Sequence, residues 1–204
     1  MDVCTRHGND RKEVNMNSSR LSTKPTYSIK QLALAGLMAA IICILGPISL
    51  PLPGSLVPIS LGTLAIYFVM TVLGLKLGFV RVVVYILLGL CSLPVFTGFM
   101  GGPGKLFGPT GGYIIGYLFL ALISGFFMEK FDNRLLPNIL GMFLGTAVLY
   151  LFGSVWLAYQ ASYTLPQALM AGAIPYIPGD LIKIALAMSL GRQLRKRLKA
   201  AGLV

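Results

Sequence analysis

The sequence is short of the residues that most catalytic and metal chemistry needs. Among 204 residues there is one histidine, His7, and there are three cysteines, Cys4, Cys43 and Cys91. The cysteines are odd in number, and Cys43 and Cys91 lie inside apolar runs, so neither a disulfide framework nor a metal-ligand spacing can be drawn. His7 sits in a polar stretch with no partner ligand and reads as a solvated residue. Acids are few: of six Asp and Glu, only Asp180 falls at an apolar run. That excludes the usual intramembrane hydrolases built on paired Asp or on Glu and His. No G-x-x-x-x-G-K-[ST] run is present, so the chain does not hold ATP by a P-loop. Ser124, Ser154 and Ser189 have no base to activate them. These absences argue against an enzyme, and no metal or cofactor is expected.

What is abundant is apolar side chain. Hydrophobic residues make up 56% of the chain, charged residues 11%, and the mean hydropathy is +0.80. A soluble domain carries about 25% charged residues, so this composition belongs to an integral membrane protein. The 17 Lys and Arg against 6 acids suit either nucleic acid or the cytoplasmic flanks of membrane helices.

Residues 1–27 are polar and rich in Asn, Ser, Arg and Lys, which predicts a disordered cytoplasmic tail. About twenty-five polar residues before the first apolar run do not fit a secretory signal, and Met16 offers a second start. Residues 28–200 predict a single six-helix membrane domain. Its spans cover about 29–45, 59–75, 82–93, 110–128, 135–159 and 179–190. In the first span Ala35 and Ala39 are four apart, as are Gly36 and Ala40. Small residues at that spacing let another helix approach closely, whether inside the bundle or on a separate subunit.

Between the spans lie three irregular but apolar loops. Residues 46–58 hold four prolines, residues 95–109 hold five glycines and two prolines, and residues 160–178 carry further prolines. Counting the tail to Lys30, the Lys76–Arg81 and Lys130–Arg134 turns and the C-terminal segment, 15 of the 17 Lys and Arg flank one side. The positive-inside rule then places both termini in the cytoplasm and all three loops outside. This placement accounts for the basic balance without nucleic acid, for which no motif with interleaved aromatics is present. Irregular backbone at membrane depth is tolerated where protein covers it or where it lines a cavity. Three such loops on one face therefore predict a pocket toward the extracellular side.

The stretch Pro175-Tyr176-Ile177-Pro178-Gly179-Asp180-Leu181-Ile182-Lys183 supplies the pocket's chemistry. Asp180 and Lys183, at i and i+3, share one side of the last span. Asp180 falls in the first turn, where a helix favours a carboxylate, and Pro178 suits such a start. An ion pair that merely eases an awkward helix start is one reading. A pair that hydrogen-bonds a small polar ligand is the other, and the cost of charge here favours it.

Four stretches carry a resemblance to a known family. They are Val57-Pro58-Ile59-Ser60-Leu61, Leu93-Pro94-Val95-Phe96, Gly108-Pro109-Thr110-Gly111-Gly112-Tyr113-Ile114-Ile115-Gly116 and the Pro175–Lys183 stretch. In order and spacing the chain resembles BioY, the biotin-specific substrate-binding (S) component of energy-coupling-factor vitamin transporters. The resemblance implies an all-α membrane protein with six transmembrane helices, both termini cytoplasmic, and a biotin site toward the extracellular side. It implies biotin binding at Asp180 and Lys183, with Thr97, Gly111 and Gly112 beside them. The apolar bicycle and chain of biotin would then lie against Phe96, Tyr113 and Tyr176. It also implies a multi-pass plasma-membrane protein whose partners are a transmembrane coupling subunit and ATPase subunits, so that ATP is used by the partners. Ala35 and Ala39 would dock on the coupling subunit, and toppling of the whole component would carry biotin inward. At Gly62 many relatives have Gln, and near Thr97 some have Asn. Two other readings remain: an S component for another small vitamin, and a membrane assembly protein without transport.

Overall fold

A computed structural model describes residues 29–51, 56–131 and 134–202. The polar tail expected over residues 1–27 lies outside the described residues.

The described chain is mostly helical. Helix α1 is Ile29–Leu45, α2 Gly62–Leu90, α3 Pro103–Leu106, α4 Gly111–Lys130, α5 Leu135–Ala161, α6 Leu165–Gly172 and α7 Ile177–Ala200. A 3₁₀ turn at Ile174–Tyr176 joins α6 to α7. Among the described residues four helical stretches are long and apolar enough to cross a membrane: Gly62–Leu90, Gly111–Lys130, Leu135–Ala161 and the joined Leu165–Ala200; α1 is shorter. Helix is what lipid demands, because it satisfies every backbone group within the segment.

Helix α2 runs where two spans and a polar turn are expected. Its helical dihedrals fail only at Gly74, at φ 75° and ψ −166°. A Cβ on Gly78 would stand 3.5 Å from the Cα of Met70. Eight residues of continuous helix would hold those positions about 12 Å apart, so the chain folds back at Gly74. Glycine is needed there for the positive φ. The reversal therefore falls two residues before the Lys76–Arg81 stretch, whose residues already belong to the returning helix.

Helices α4 and α5 pack over small residues. A Cβ on Gly145 would come within 2.9 Å of Leu120, and one on Gly116 within 3.3 Å of Leu149. Gly112 and Gly116 on α4, and Gly141 and Gly145 on α5, are each four apart, the spacing that brings helix backbones together in lipid. The core beneath is apolar and dense, with Ile66, Tyr67, Met70, Leu120, Met142 and Leu149 almost wholly buried.

The loops hold structure that the sequence did not announce. Ser49–Leu50 (β1) and Ile59–Ser60 (β2) pair antiparallel, with Ser49 opposite Ser60 and Leu50 opposite Ile59. The expected third loop is mostly helical: α6 begins at Leu165-Pro166, and Gln167 Oε1 accepts from the Thr164 N–H at 3.0 Å. The last span is longer than its apolar part, because α7 continues through the basic turns to Ala200.

Candidate functional site

The loops are tied to one another at one end of the bundle. The Gly98 N–H donates to the Pro47 carbonyl at 3.0 Å, joining the first loop to the second. The Tyr176 hydroxyl donates to the Val57 carbonyl, joining the third to the first. From α5, Trp156 Nε1 donates to Gly108 O at 2.9 Å and Gln160 Nε2 to Phe107 O at 2.7 Å, fixing the segment ahead of α4.

Under these ties lies a cavity lined by Val57, Pro58, Ser60, Thr63, Thr97, Thr110, Tyr113, Ile114, Tyr117, Leu149, Tyr150, Gly172, Tyr176, Asp180 and Lys183. It encloses about 490 Å³ of atom-free space, part of it open to solvent. Apolar walls with a few convergent polar groups are the usual make-up of a small-molecule site.

Asp180 and Lys183 form one wall. Lys183 Nζ lies 3.0 Å from Asp180 Oδ1, and Asp180 is only 3% exposed. The ammonium also donates to Ser60 O at 2.8 Å and to Thr63 Oγ1 at 3.1 Å. Its three protons are thereby all placed. Thr63 Oγ1 in turn donates to Asp180 Oδ1 at 3.4 Å, and the Tyr150 hydroxyl donates to Asp180 Oδ2. The pair thus locks α7 to β2 and to the start of α2 while keeping the carboxylate at the cavity wall. A buried ion pair is tolerable only with such supporting hydrogen bonds.

Two further lining residues carry buried hydroxyls. Among the described residues Thr97 Oγ1 and Thr110 Oγ1 have no hydrogen-bond partner, and both residues line the cavity. A buried polar atom without a partner is costly, and two at one cavity point to a polar ligand between them. Beyond Thr97 a second hollow opens, sharing Pro58 and Thr97 with the first and bearing Lys105. Burial lowers the pKa of that amine from its ordinary value.

Of the expected ligand residues, Asp180, Lys183, Tyr113, Tyr176 and Thr97 meet at this cavity. Phe96, Gly111 and Gly112 do not line it. The Phe96 ring is fully buried and stands edge-on to Tyr85, 5.6 Å between centroids, against Gly89. It anchors the loop that carries Thr97. A Cβ on Gly111 would overlap the Leu106 carbonyl, and one on Gly112 would overlap Trp156. Both glycines permit close packing behind the cavity. Ala35 is 3% exposed and faces the bundle, where its carbonyl accepts from Arg81 Nε at 3.1 Å. That burial takes it out of a second protein's reach in this arrangement. Ala39 is half-buried, while Gly36 and Ala40 face outward.

Thr110, Tyr150, Thr63, Ser60 and Tyr117 are lining residues that sequence reasoning did not single out. Thr110 lies within the G-P-T-G-G-Y stretch, a signal at hand. Tyr150 and Tyr117 lie in long apolar helices, where nothing in the spacing marks them.

The comparisons with known proteins agree with one another. A family model described as the BioY family matches residues 16–200. The chain is 32% identical over 172 residues to the biotin transporter BioY2 of Lactococcus lactis subsp. cremoris, covering 84% of this chain and 92% of that protein. It is 34% identical over 168 residues to the biotin transporter BioY of Thermotoga maritima, covering 82% and 97%. The solved S-component for biotin from an ECF-type ABC transporter superposes with a TM-score of 0.77 at 34% identity, over 82% of this chain and 92% of that one.

Proposed function

We propose, since this chain belongs to the BioY family, that it is the biotin-binding S component of an ECF-type transporter in the plasma membrane. It binds and hands over its ligand rather than transforming it. The observation that carries the reading is the cavity itself, lined by a supported carboxylate and ammonium and by two threonine hydroxyls that have no partner among the described residues.

Biotin matches that arrangement in chemistry. Its ureido ring offers two N–H donors and one carbonyl acceptor, and its chain ends in a carboxylate. Asp180 can accept from the ureido N–H groups and Lys183 can donate to the ureido carbonyl. The hydroxyls of Thr97 and Thr110 then serve the carboxylate end, with Lys105 beyond them supplying positive charge. Tyr113 and Tyr176 flank the apolar part. Phe96, Gly111 and Gly112 act from behind, by holding the loops in place.

The domain of residues 28–200 is a bundle of six crossings with both termini in the cytoplasm. Support comes from the reversal at Gly74, which divides α2 into two antiparallel helices. Further support is that the basic C-terminal turns meet this reversal, Arg195 Nη1 lying 3.4 Å from Thr71 O. The loops and the cavity then face outward. Coupling to ATP belongs to separate subunits, and this chain needs no cofactor of its own. The outward small residues of α1, Gly36 and Ala40 with half-buried Ala39, provide the surface for the coupling subunit, while Ala35 sets the helix against the bundle.

Two tests separate this reading from its rivals. Against a panel of vitamins, the purified chain is expected to bind biotin alone; tight binding of another vitamin would reassign the ligand. In cells lacking their own biotin uptake, ATP-driven accumulation is expected only with the coupling and ATPase subunits present. Full ATP-driven uptake by the chain alone would refute its role as a component. A finer expectation concerns Tyr150. Tyr150→Phe removes one donor to the Asp180 carboxylate, worth about 1.5 kcal/mol for a bond to a charged group. Because that bond exists before biotin arrives, the unfolding temperature is expected to fall by a few degrees, and biotin affinity to fall with it as the carboxylate loses a group that orients it.

A further inference from the structure

Helices α5 and α7 barely touch each other along their length, although each packs on other elements. Two hollows follow the seam between them. The first, at the basic end, is lined by Leu135, Ile139, Ala185, Met188 and Ser189, with Arg192, Gln193 and Lys196 at its rim. The second continues toward the middle of the bundle between Phe143, Ala147, Leu181 and Ile184, and ends against Tyr150 and Asp180. The wall residues on α5 recur at three- and four-residue steps, from Leu135 through Ile139, Phe143 and Ala147 to Tyr150. They therefore form one stripe. The two hollows are successive parts of a single groove.

The groove has two ends of different chemistry. From Arg192 to Ile177 helix α7 rises about 22 Å, more than the roughly 15 Å of hydrocarbon in one leaflet. Over that length the walls are almost entirely apolar. At the basic end Arg192 and Lys196, four residues apart, stand on the same face of α7 above the groove. Among the described residues no acidic side chain lines that end. A cationic rim over an apolar channel of leaflet depth is complementary to a molecule with an anionic head and a long hydrocarbon tail.

We propose that this groove is a binding site for an anionic phospholipid of the inner leaflet. Its phosphate meets Arg192 and Lys196, and one acyl chain lies along the seam toward Ile184 and Leu181. The location in the inner leaflet rests on the cytoplasmic placement of the C-terminus proposed above; the contacts themselves do not. Basic pockets between membrane helices on the cytoplasmic side recognise such headgroups, at about 1 kcal/mol for each Lys or Arg.

Native mass spectrometry of the full chain in detergent, titrated with phosphatidylglycerol or phosphatidylcholine, tests the proposal. One phosphatidylglycerol is expected to bind with about tenfold preference over phosphatidylcholine. Arg192→Ala with Lys196→Ala removes that preference. Arg197→Ala with Lys130→Ala takes the same charge from the basic end without touching the lining of the groove and leaves the preference intact. Ala185→Trp fills the exposed groove and reduces binding of both lipids. Equal binding of the two lipids, equal effects of the two double variants, or no effect of Ala185→Trp would each overturn the proposal. So would cross-linking of an Ala185→Cys variant to the coupling subunit in an assembled transporter that retains no lipid there. Biotin titration of the same samples keeps the two readings apart. Binding is expected in every variant, and its absence from the unaltered chain would remove the biotin assignment while leaving the lipid result standing.

Discussion

Replacing Asp180 with asparagine is expected to lower biotin affinity at least a hundredfold and to lower the unfolding temperature as well. The carboxylate holds the Lys183 ammonium at 3.0 Å and accepts from Tyr150 and Thr63. An amide keeps the shape but loses the charge, leaving a nearly buried ammonium with only neutral partners. Removing one member of such a pair costs about 3–5 kcal/mol, and a hundredfold in affinity corresponds to about 2.8 kcal/mol. The two losses have different cures. Changing Lys183 to methionine in the same chain removes the stranded charge, so Asp180→Asn with Lys183→Met is expected to regain much of the stability. It regains none of the affinity, because the ligand's donors and acceptor still face no charged partners. Thermal unfolding and biotin titration on the three proteins read the two effects separately. Native affinity in the double variant would show that the pair is only a structural clasp.

The second large effect is expected at Gly111, where alanine should destabilise the chain by about 3 kcal/mol, at the upper end of overpacking costs. Gly111 begins α4, and a Cβ there would overlap the Leu106 carbonyl and carbon. The obstruction is backbone, so no rotamer change relieves it. Either the Pro103–Leu106 turn or the start of α4 must move. Thr110 and Tyr113 flank that point and line the cavity, so biotin affinity should fall together with stability. Gly179→Ala is the matched control, because a Cβ there meets nothing within 4 Å. It should leave both measurements close to native. A Gly111→Ala protein that unfolds and binds like the unaltered chain would show that the turn is more yielding than its geometry indicates.

The two positions differ in how far the sequence reveals them. Asp180 and Lys183 are legible because charge at the edge of an apolar run has few affordable explanations, and i, i+3 spacing fixes their common face. The membrane class is legible because helix is the economical way to satisfy a backbone in lipid. The role of Gly111 is not, since a motif marks a position without saying which neighbour it must clear. Phe96 shows the same limit: an aromatic at a loop reads equally as a cavity wall or as a buried anchor, and packing against Tyr85 decides for the anchor. Spacing gave Ala35 and Ala39 a face on α1 but not its direction. The reversal at Gly74 is hidden because Lys76, Gly78 and Arg81 look more like a turn than the single glycine that makes it. Tyr150 carries no signal at all, being a hydroxyl among apolar residues whose partner lies 30 positions away in sequence.

Hydrogen bonds at the cavity explain why so few residues can serve both fold and ligand. The bonds that hold Asp180 in place also orient it, so a ligand meets a wall already arranged and loses little in reorganising it. In the proposed complex Thr97 and Thr110 gain from the ligand the hydrogen bonds that their hydroxyls do not make with the described residues.

Isothermal titration of the detergent-purified chain with biotin, in the absence of any coupling subunit, tests the central claim most directly. The account predicts saturable binding at one site per chain, lost on Asp180→Asn. A folded chain that takes up no biotin, or that binds it equally well with asparagine at position 180, would contradict it.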